Sequence, residues 1–278
     1  MKNILPALSL FLVMFSMDAS ANKTENEFLA NSHLNPVLPD NPGYGSFAGQ
    51  LNDYGNRSLA ERLKDHVAVL ASDSLEGRGL GTRGKVIAKN YIAGHFHSFG
   101  LIPVDGDYFQ NFEMRVGLAW VQGSNVIGYL KGADPDLQSE FIVIGAHYDH
   151  LGYEDKNGQR IIYPGADDNA SGTASLIELA RYFSQNREKM GRSIIFIAFD
   201  AEESGLIGSE KFLNMSEAFG KNNIKAMFSL DMVGMYGVHS GLDMKGMGAV
   251  DGGVEMAECL AEEYNINLKN TSAEMEYR

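Results

Sequence analysis

The chain has 278 residues, 44% of them hydrophobic and 21% charged, which excludes the disordered, collagen-like and disulfide-scaffold classes and leaves an ordinary globular protein. Acidic residues outnumber basic ones by 36 to 23, for a net charge of −13, and this argues against a nucleic-acid partner, whose backbone is gripped by clustered Lys and Arg. Cys259 is the single cysteine, so no internal disulfide forms, and a chain of this length has no need of one, since it buries roughly 70–75% of its unfolded surface.

Lys2, the apolar run Ile4 to Phe15 broken only by Ser9, and Ala19-Ser20-Ala21 have the form of an export leader. A signal peptide over residues 1–21, cut after Ala21, and a periplasmic or secreted protein are expected. The run is shorter than the roughly 20 residues that cross a bilayer, so no membrane span is expected. Residues 22–57, rich in Asn, Pro and Gly, predict an irregular arm. From Ser58 to Arg278 a single domain is the simplest partition.

Ser58 and Glu61 make a capping box ahead of Leu59, Leu63, Val67 and Leu70, predicting a helix from about Leu59 to Ala71. Gly79 to Gly84 fits G-x-G-x-x-G. The polar residues before it are not the buried strand that a dinucleotide site requires, and a flexible loop is the simpler reading. Lys85 to Phe99 repeats a helical stripe and closes on Gly100. Strands are predicted at Val126 to Leu130, Phe141 to Ala146, Ile194 to Phe199 and Ala226 to Leu230, and helices at Ala170 to Phe183 and Gly252 to Tyr264. Two of the strands are continuously apolar, as central strands are. The alternation predicts an α/β fold, a mixed, mostly parallel sheet flanked by helices on both faces, with its site beyond the carboxyl ends of the strands.

Those ends carry the chemistry. Phe141 to Ala146 runs into His147-Tyr148-Asp149-His150, where alternation puts His147 and Asp149 on one side and lets Asp149 fix the tautomer of a metal-binding His147. Asp167 and Asp168 occupy a turn of small residues before a helix, where one can cap and the other face a cation. Asp200, Glu202 and Glu203 follow the next strand, and Asp231 follows the last. Crowded like charges repel unless cations neutralise them, and convergent carboxylates with few histidines suit a pair of divalent ions sharing a carboxylate. Zinc accepts such a nitrogen and oxygen mixture.

Gly-Ala-His147-Tyr-Asp149-His-Leu-Gly, Gly-Ala-Asp-Asp168-Asn-Ala-Ser-Gly, Asp-Ala-Glu202-Glu203-Ser-Gly and Leu-Asp231-Met-Val-Gly, preceded by Leu-Ala-Ser-Asp-Ser-Leu-Glu-Gly-Arg, resemble the zinc-dependent aminopeptidases of the M28 family from about Leu70 to Gly234. The resemblance implies a three-layer, zinc-exopeptidase-like sandwich, incomplete at its C-terminal end. It implies that His147 and Asp231 bind one zinc, that Glu203 binds a second and that Asp168 bridges both. Ser171 sets the register that selects Asp168 over Asp167. Glu202 would be the general acid/base and Asp149 the acid that orients His147. The implied substrate is a peptide with a free N-terminus, whose cationic amine suits an acidic mouth.

In the family the Glu203-bound zinc takes a further His from downstream of Asp231. His239 is the only histidine there and comes too early, so the second ion is expected to lack that ligand and the domain its end. Two alternatives stand beside hydrolysis: an inactive, truncated metal-binding remnant, and glutaminyl cyclisation, an acyl transfer with a single zinc. Among the other histidines, His95 and His97 face different sides of one helix, His33 and His66 are read as surface residues, and His150 is read as a hydrogen-bonding residue aimed away from His147. Cys259 is read as a packed side chain of the last helix.

Overall fold

The computed structural model describes residues 57–215 and 219–271. The leader and nearly all of the arm lie outside the described residues. Among those that are described, no helix is long and apolar enough to cross a membrane. The described residues divide into two compact units, a larger one up to Gly234 and a smaller one from Met235 onward. The division falls where the quoted motifs end.

In the larger unit α1 (Leu59–Leu70) starts on Ser58, whose side chain and that of Glu61 cap each other's backbone N–H. A 3₁₀ turn, Asp73–Arg78, leads to α2 (Arg83–Ser98). The glycine-rich segment between them is packed rather than loose. A Cβ on Gly84 would lie 1.9 Å from the Leu75 carbonyl oxygen, so only glycine lets α2 begin against the turn. Next come β1 (Ile102–Pro103), β2 (Phe109–Val116), β3 (Ala119–Leu130), β4 (Phe141–His147), a hairpin of β5 (Tyr153–Lys156) and β6 (Gln159–Ile162), α3 (Gly172–Gln185), β7 (Ser193–Phe199), α4 (Ile207–Met215) and β8 (Ile224–Ser229).

The main sheet runs β1-β3-β7-β4-β8, with β2 also paired to β3. It is mixed, as expected, but its antiparallel part is larger than the pattern of apolar runs suggested. β4 pairs parallel with β7 and β8, whereas β3 pairs antiparallel with β7, β1 and β2. For β2 and β3 the reason is their tight connection at Gly117, in the left-handed region at φ 60°. Such a short turn can join only antiparallel neighbours.

Side chains of β7 alternate between two layers. Ile195, Ile197 and Phe199 pack with Phe212 of α4 on one face. Phe196 meets Phe96 of α2 and Phe183 of α3 on the other. Burial on both faces explains why β4 and β7 read as unbroken apolar runs.

Helix α1 turns a different edge inward from the one its apolar stripe suggests. Arg62 and His66 are fully buried with Leu59 and Leu70, which corrects the surface reading of His66. The cause is Glu178 of α3, whose carboxylate accepts from Arg62 Nε at 2.9 Å and Arg181 Nε at 3.0 Å and lies 3.4 Å from His66 Nε2. Burial alone would raise the Glu178 pKa, but His66, Arg181 and Arg62 together hold it well below the usual carboxylate range.

The smaller unit contains α5 (Tyr236–His239), β9 (Leu242–Asp243), α6 (Gly253–Glu263) and β10 (Leu268–Asn270), with β9 and β10 parallel. Helix α6 buries Gly253, Ala257, Leu260 and Ala261. Cys259 is exposed, not packed as expected, because two residues of helix rotate it about 200° from Ala257.

Glu178→Gln leaves buried Arg62 facing a neutral amide. It should destabilise the fold by about 3–5 kcal/mol, lowering Tm by roughly 6–20 °C. Because folding depresses the Glu178 pKa, this stabilisation is complete above the unfolded value near pH 4 and fades only as pH falls further. Thermal melts of both proteins at pH 7 and pH 3 check it: the gap should narrow at the lower pH, and equal Tm values at pH 7 would contradict the buried clamp.

Candidate metal centre

Three parallel strands end side by side, β7, β4 and β8 in that order, and each end leads to residues picked out from the sequence. β4 closes on His147, β7 is followed by the turn that carries Glu202 and Glu203, and Asp231 lies two residues beyond β8. Asp168 sits in the wide turn Ala166–Ser171 that precedes α3, at a point where the backbone leaves helical geometry.

Among the described residues, the side-chain atoms that could hold a metal ion form two groups. His147, Asp168 and Asp231 make one, and His150, Asp168 and Glu203 the other. His147 Nε2 lies 3.3 Å from Asp168 Oδ1 and 3.4 Å from Asp231 Oδ1. Tetrahedral ligands held about 2.0–2.1 Å from a zinc ion are themselves about 3.3 Å apart, so this group fits such an ion. His150 Nδ1 lies 2.7 Å from Glu203 Oε1 and 3.8 Å from Asp168 Oδ2. Asp168 therefore turns one oxygen to each group. Glu202 belongs to neither.

Asp149 is fully buried. Its Oδ1 lies 3.7 Å from His147 Nδ1, and its two oxygens accept the backbone N–H groups of Glu202 at 3.1 Å and Glu203 at 3.3 Å. The same carboxylate thus faces the back of His147 and holds the Glu202–Glu203 turn. Asp200 is drawn away from the other acids. It is buried against Lys85 Nζ at 2.7 Å and accepts the Ser124 and Ala201 N–H groups, so of the three acids expected at this mouth only Glu202 and Glu203 reach it.

The segment carrying Asp231 is gripped by the turn carrying Asp168. Asn169 donates to the Leu230 carbonyl and accepts from Met232 N, Ser171 Oγ accepts from Val233 N, and Asp167 accepts from Gly234 N at 2.8 Å. Of the adjacent acids, Asp167 is thus spent on backbone and Asp168 on the donor groups.

Arg78 was not singled out from the sequence, where a lone Arg in a polar stretch carries no periodic signal. It is completely buried and donates to the carbonyls of Leu70, Tyr148, Pro164 and Gly165 at 2.6–2.8 Å. Burial lowers its pKa to about 10 while Asp149, Asp168 and Glu203 pull upward, so it is a cation at neutral pH. Burial opposes charge on His147 as well. Hydrogen bonds to Asp149 and Asp231 and the fields of Asp149 and Glu202 outweigh that and set its pKa at about 10. Burial, with Asp149, Glu203 and Asp231 adding, raises the Glu202 pKa against the pull of His147. Beside Glu203 and His150 opens a cleft of about 510 Å³ whose walls include Leu80, Leu151, Tyr153 and Ser204.

The model for Peptidase family M28 matches residues 125–271. A probable zinc metalloprotease of Pyrenophora teres f. teres is 34% identical over 176 residues, 59% of this chain and 35% of that protein. Aminopeptidase YwaD of Bacillus subtilis is 34% identical over 113 residues, 40% of this chain and 22% of that protein. The chain spans about a third or less of the length of these relatives. Glutaminyl cyclase of Porphyromonas gingivalis superposes with a TM-score of 0.59 at 19% identity, covering 78% of this chain and 76% of that one, a likeness of fold.

Zinc added to chelator-treated protein at a hundredfold excess over its Kd should stabilise the folded state by about 2.7 kcal/mol, raising Tm by roughly 5–10 °C. Asp168→Asn, which weakens both donor groups at once, should remove most of that rise. A Tm indifferent to zinc in the unsubstituted protein would rule out a metal centre here.

Proposed function

Because the chain belongs to peptidase family M28, we propose that it is a zinc-dependent aminopeptidase that hydrolyses the first peptide bond of its substrate. The observation that carries this reading is the division of Asp168 between two donor groups with a half-buried carboxylate, Glu202, beside them and outside both. On this reading His147 and Asp231 would hold one zinc, Glu203 the other, and Asp168 would be shared between them.

When bound, the ions would act as Lewis acids that polarise the scissile carbonyl and lower the pKa of water to about 7. The chain's own residues do the rest. Glu202, whose pKa is raised chiefly by burial, is suited to take a proton from the attacking water and pass it to the departing amine. Asp149 keeps Glu202 in place through the backbone N–H it accepts and, by facing Nδ1 of His147, leaves Nε2 for the metal. A protonated N-terminal amine is drawn to an acidic mouth, which supports an exopeptidase acting on peptides with a free N-terminus. The cleft beside Glu203 has the volume of a small-ligand site and is suited to take part of that substrate.

Glutaminyl cyclisation with a single zinc would leave one of the two donor groups without a use, and this argues against it.

With zinc and an aminoacyl anilide, Glu202→Gln should lower kcat by about 10²–10⁴-fold and leave KM within a few-fold. Stopped assays of the released amine, run with equal metal content in both proteins, check it. Release by the unsubstituted protein no faster than by the variant would overturn the peptidase reading and favour a metal-binding remnant.

A further inference from the structure

On the proposed reading, on which this inference rests, Asp168 and Glu203 each give the second zinc an oxygen donor. Two carboxylates alone suit hard ions such as magnesium or calcium, whereas imidazole nitrogen shifts a site toward zinc. The structure offers such a nitrogen in His150. The position just after β4 gave no reason to choose it, because strand alternation sends its side chain to the opposite side from His147.

But β4 ends at His147, so the alternation stops there, and the His150 ring turns toward Asp168 and Glu203. The chain leaves β4 with the His150 backbone N–H donating to the Arg78 carbonyl at 3.3 Å, and the ring then lies over Gly165. A Cβ at Gly165 would stand 2.4 Å from His150 Cδ2, so the seat of the ring exists only because that residue is glycine. The side chain is 9% exposed, and Nδ1 faces Glu203 Oε1 at 2.7 Å and Asp168 Oδ2 at 3.8 Å. These distances straddle the roughly 3.3 Å edge of a zinc tetrahedron. A small shift of one carboxylate would equalise them.

We propose that His150 Nδ1 is a ligand of the second zinc, so that the two ends of the tetrapeptide His147–His150 each give one nitrogen to adjacent ions that share Asp168. The two donor groups then have the same composition, one imidazole and two carboxylates. A His150 that only hydrogen-bonds would instead keep a proton on Nδ1 and donate it to Glu203.

The full chain, made with isotope-labelled histidine and loaded with a spin-half cadmium isotope, distinguishes these states by nitrogen NMR. Ligation predicts one-bond coupling to cadmium at two ring nitrogens, Nε2 of His147 and Nδ1 of His150. It also predicts that His150→Gln removes one coupled signal and reduces bound cadmium from two ions to one per chain. Coupling at His147 alone, with two ions still bound, would overturn the role of His150 and leave the metal centre standing. No coupling at His147 would overturn the centre itself. The unsubstituted protein decides between ligand and hydrogen-bond donor even if the His150→Gln variant does not fold.

Discussion

Repulsion between carboxylates at the carboxyl edge of the sheet is the constraint around which this part of the molecule is arranged. Asp149, Asp168, Glu202, Glu203 and Asp231 come from four separate segments, and any two charges about 4 Å apart repel by roughly 1 kcal/mol in water and about 4 kcal/mol at the effective dielectric near a protein surface. Left to themselves, the loops would splay. They are held by hydrogen bonds to the backbone: Asn169, Ser171 and Asp167 hold residues 230–234, and Asp149 holds the amides of residues 202 and 203. Buried Arg78 adds a positive charge behind the cluster. Cations in front of it would then relieve repulsion that the backbone has already contained.

The sheet decides where the acids meet. Within the main sheet β7, β4 and β8 are the parallel neighbours, and it is their exits that supply His147, Glu202 with Glu203, and Asp231. The antiparallel strand β3 contributes in another way. Ser124 and Asn125 near its centre bind Asp200 and its backbone N–H, and Lys85 of α2 neutralises the Asp200 carboxylate. The first acid after β7 is therefore a root in the core, and the two that follow are the ones that reach out.

How far this was legible in the sequence depends on the residue. The apolar runs that became β4 and β7 announced themselves because burial on both faces leaves no polar position. Strand β2 and the hairpin β5–β6 did not, since they alternate or are mostly exposed and lack that signature. His147, Asp149, Asp168, Glu202, Glu203 and Asp231 stood out because they follow strands or a strand-to-helix turn. Arg78, His66 and His150 were missed or misread for a common reason. Each is defined by a partner distant in sequence, namely the carbonyls around Gly165, the Glu178 carboxylate and the Glu203 carboxylate, and local periodicity carries no information about such partners.

The manner in which the acids are held bears on what binding an ion would demand. A site assembled by its metal must order its loops at the moment of binding, and part of the gross affinity is lost to that ordering. Here the positions of Asp168 and Asp231 follow from hydrogen bonds among buried or half-buried groups, and those of Glu202 and Glu203 from a fully buried carboxylate. The spacing of His147 Nε2 from two carboxylate oxygens is already that of neighbouring ligands on one ion. Asp149 ties this together, because it faces the ring of His147 while bonding the turn of Glu202 and Glu203. Displacing it would move the proposed metal ligand and the proposed proton carrier at once, so its loss would not separate into a binding effect and a chemical one.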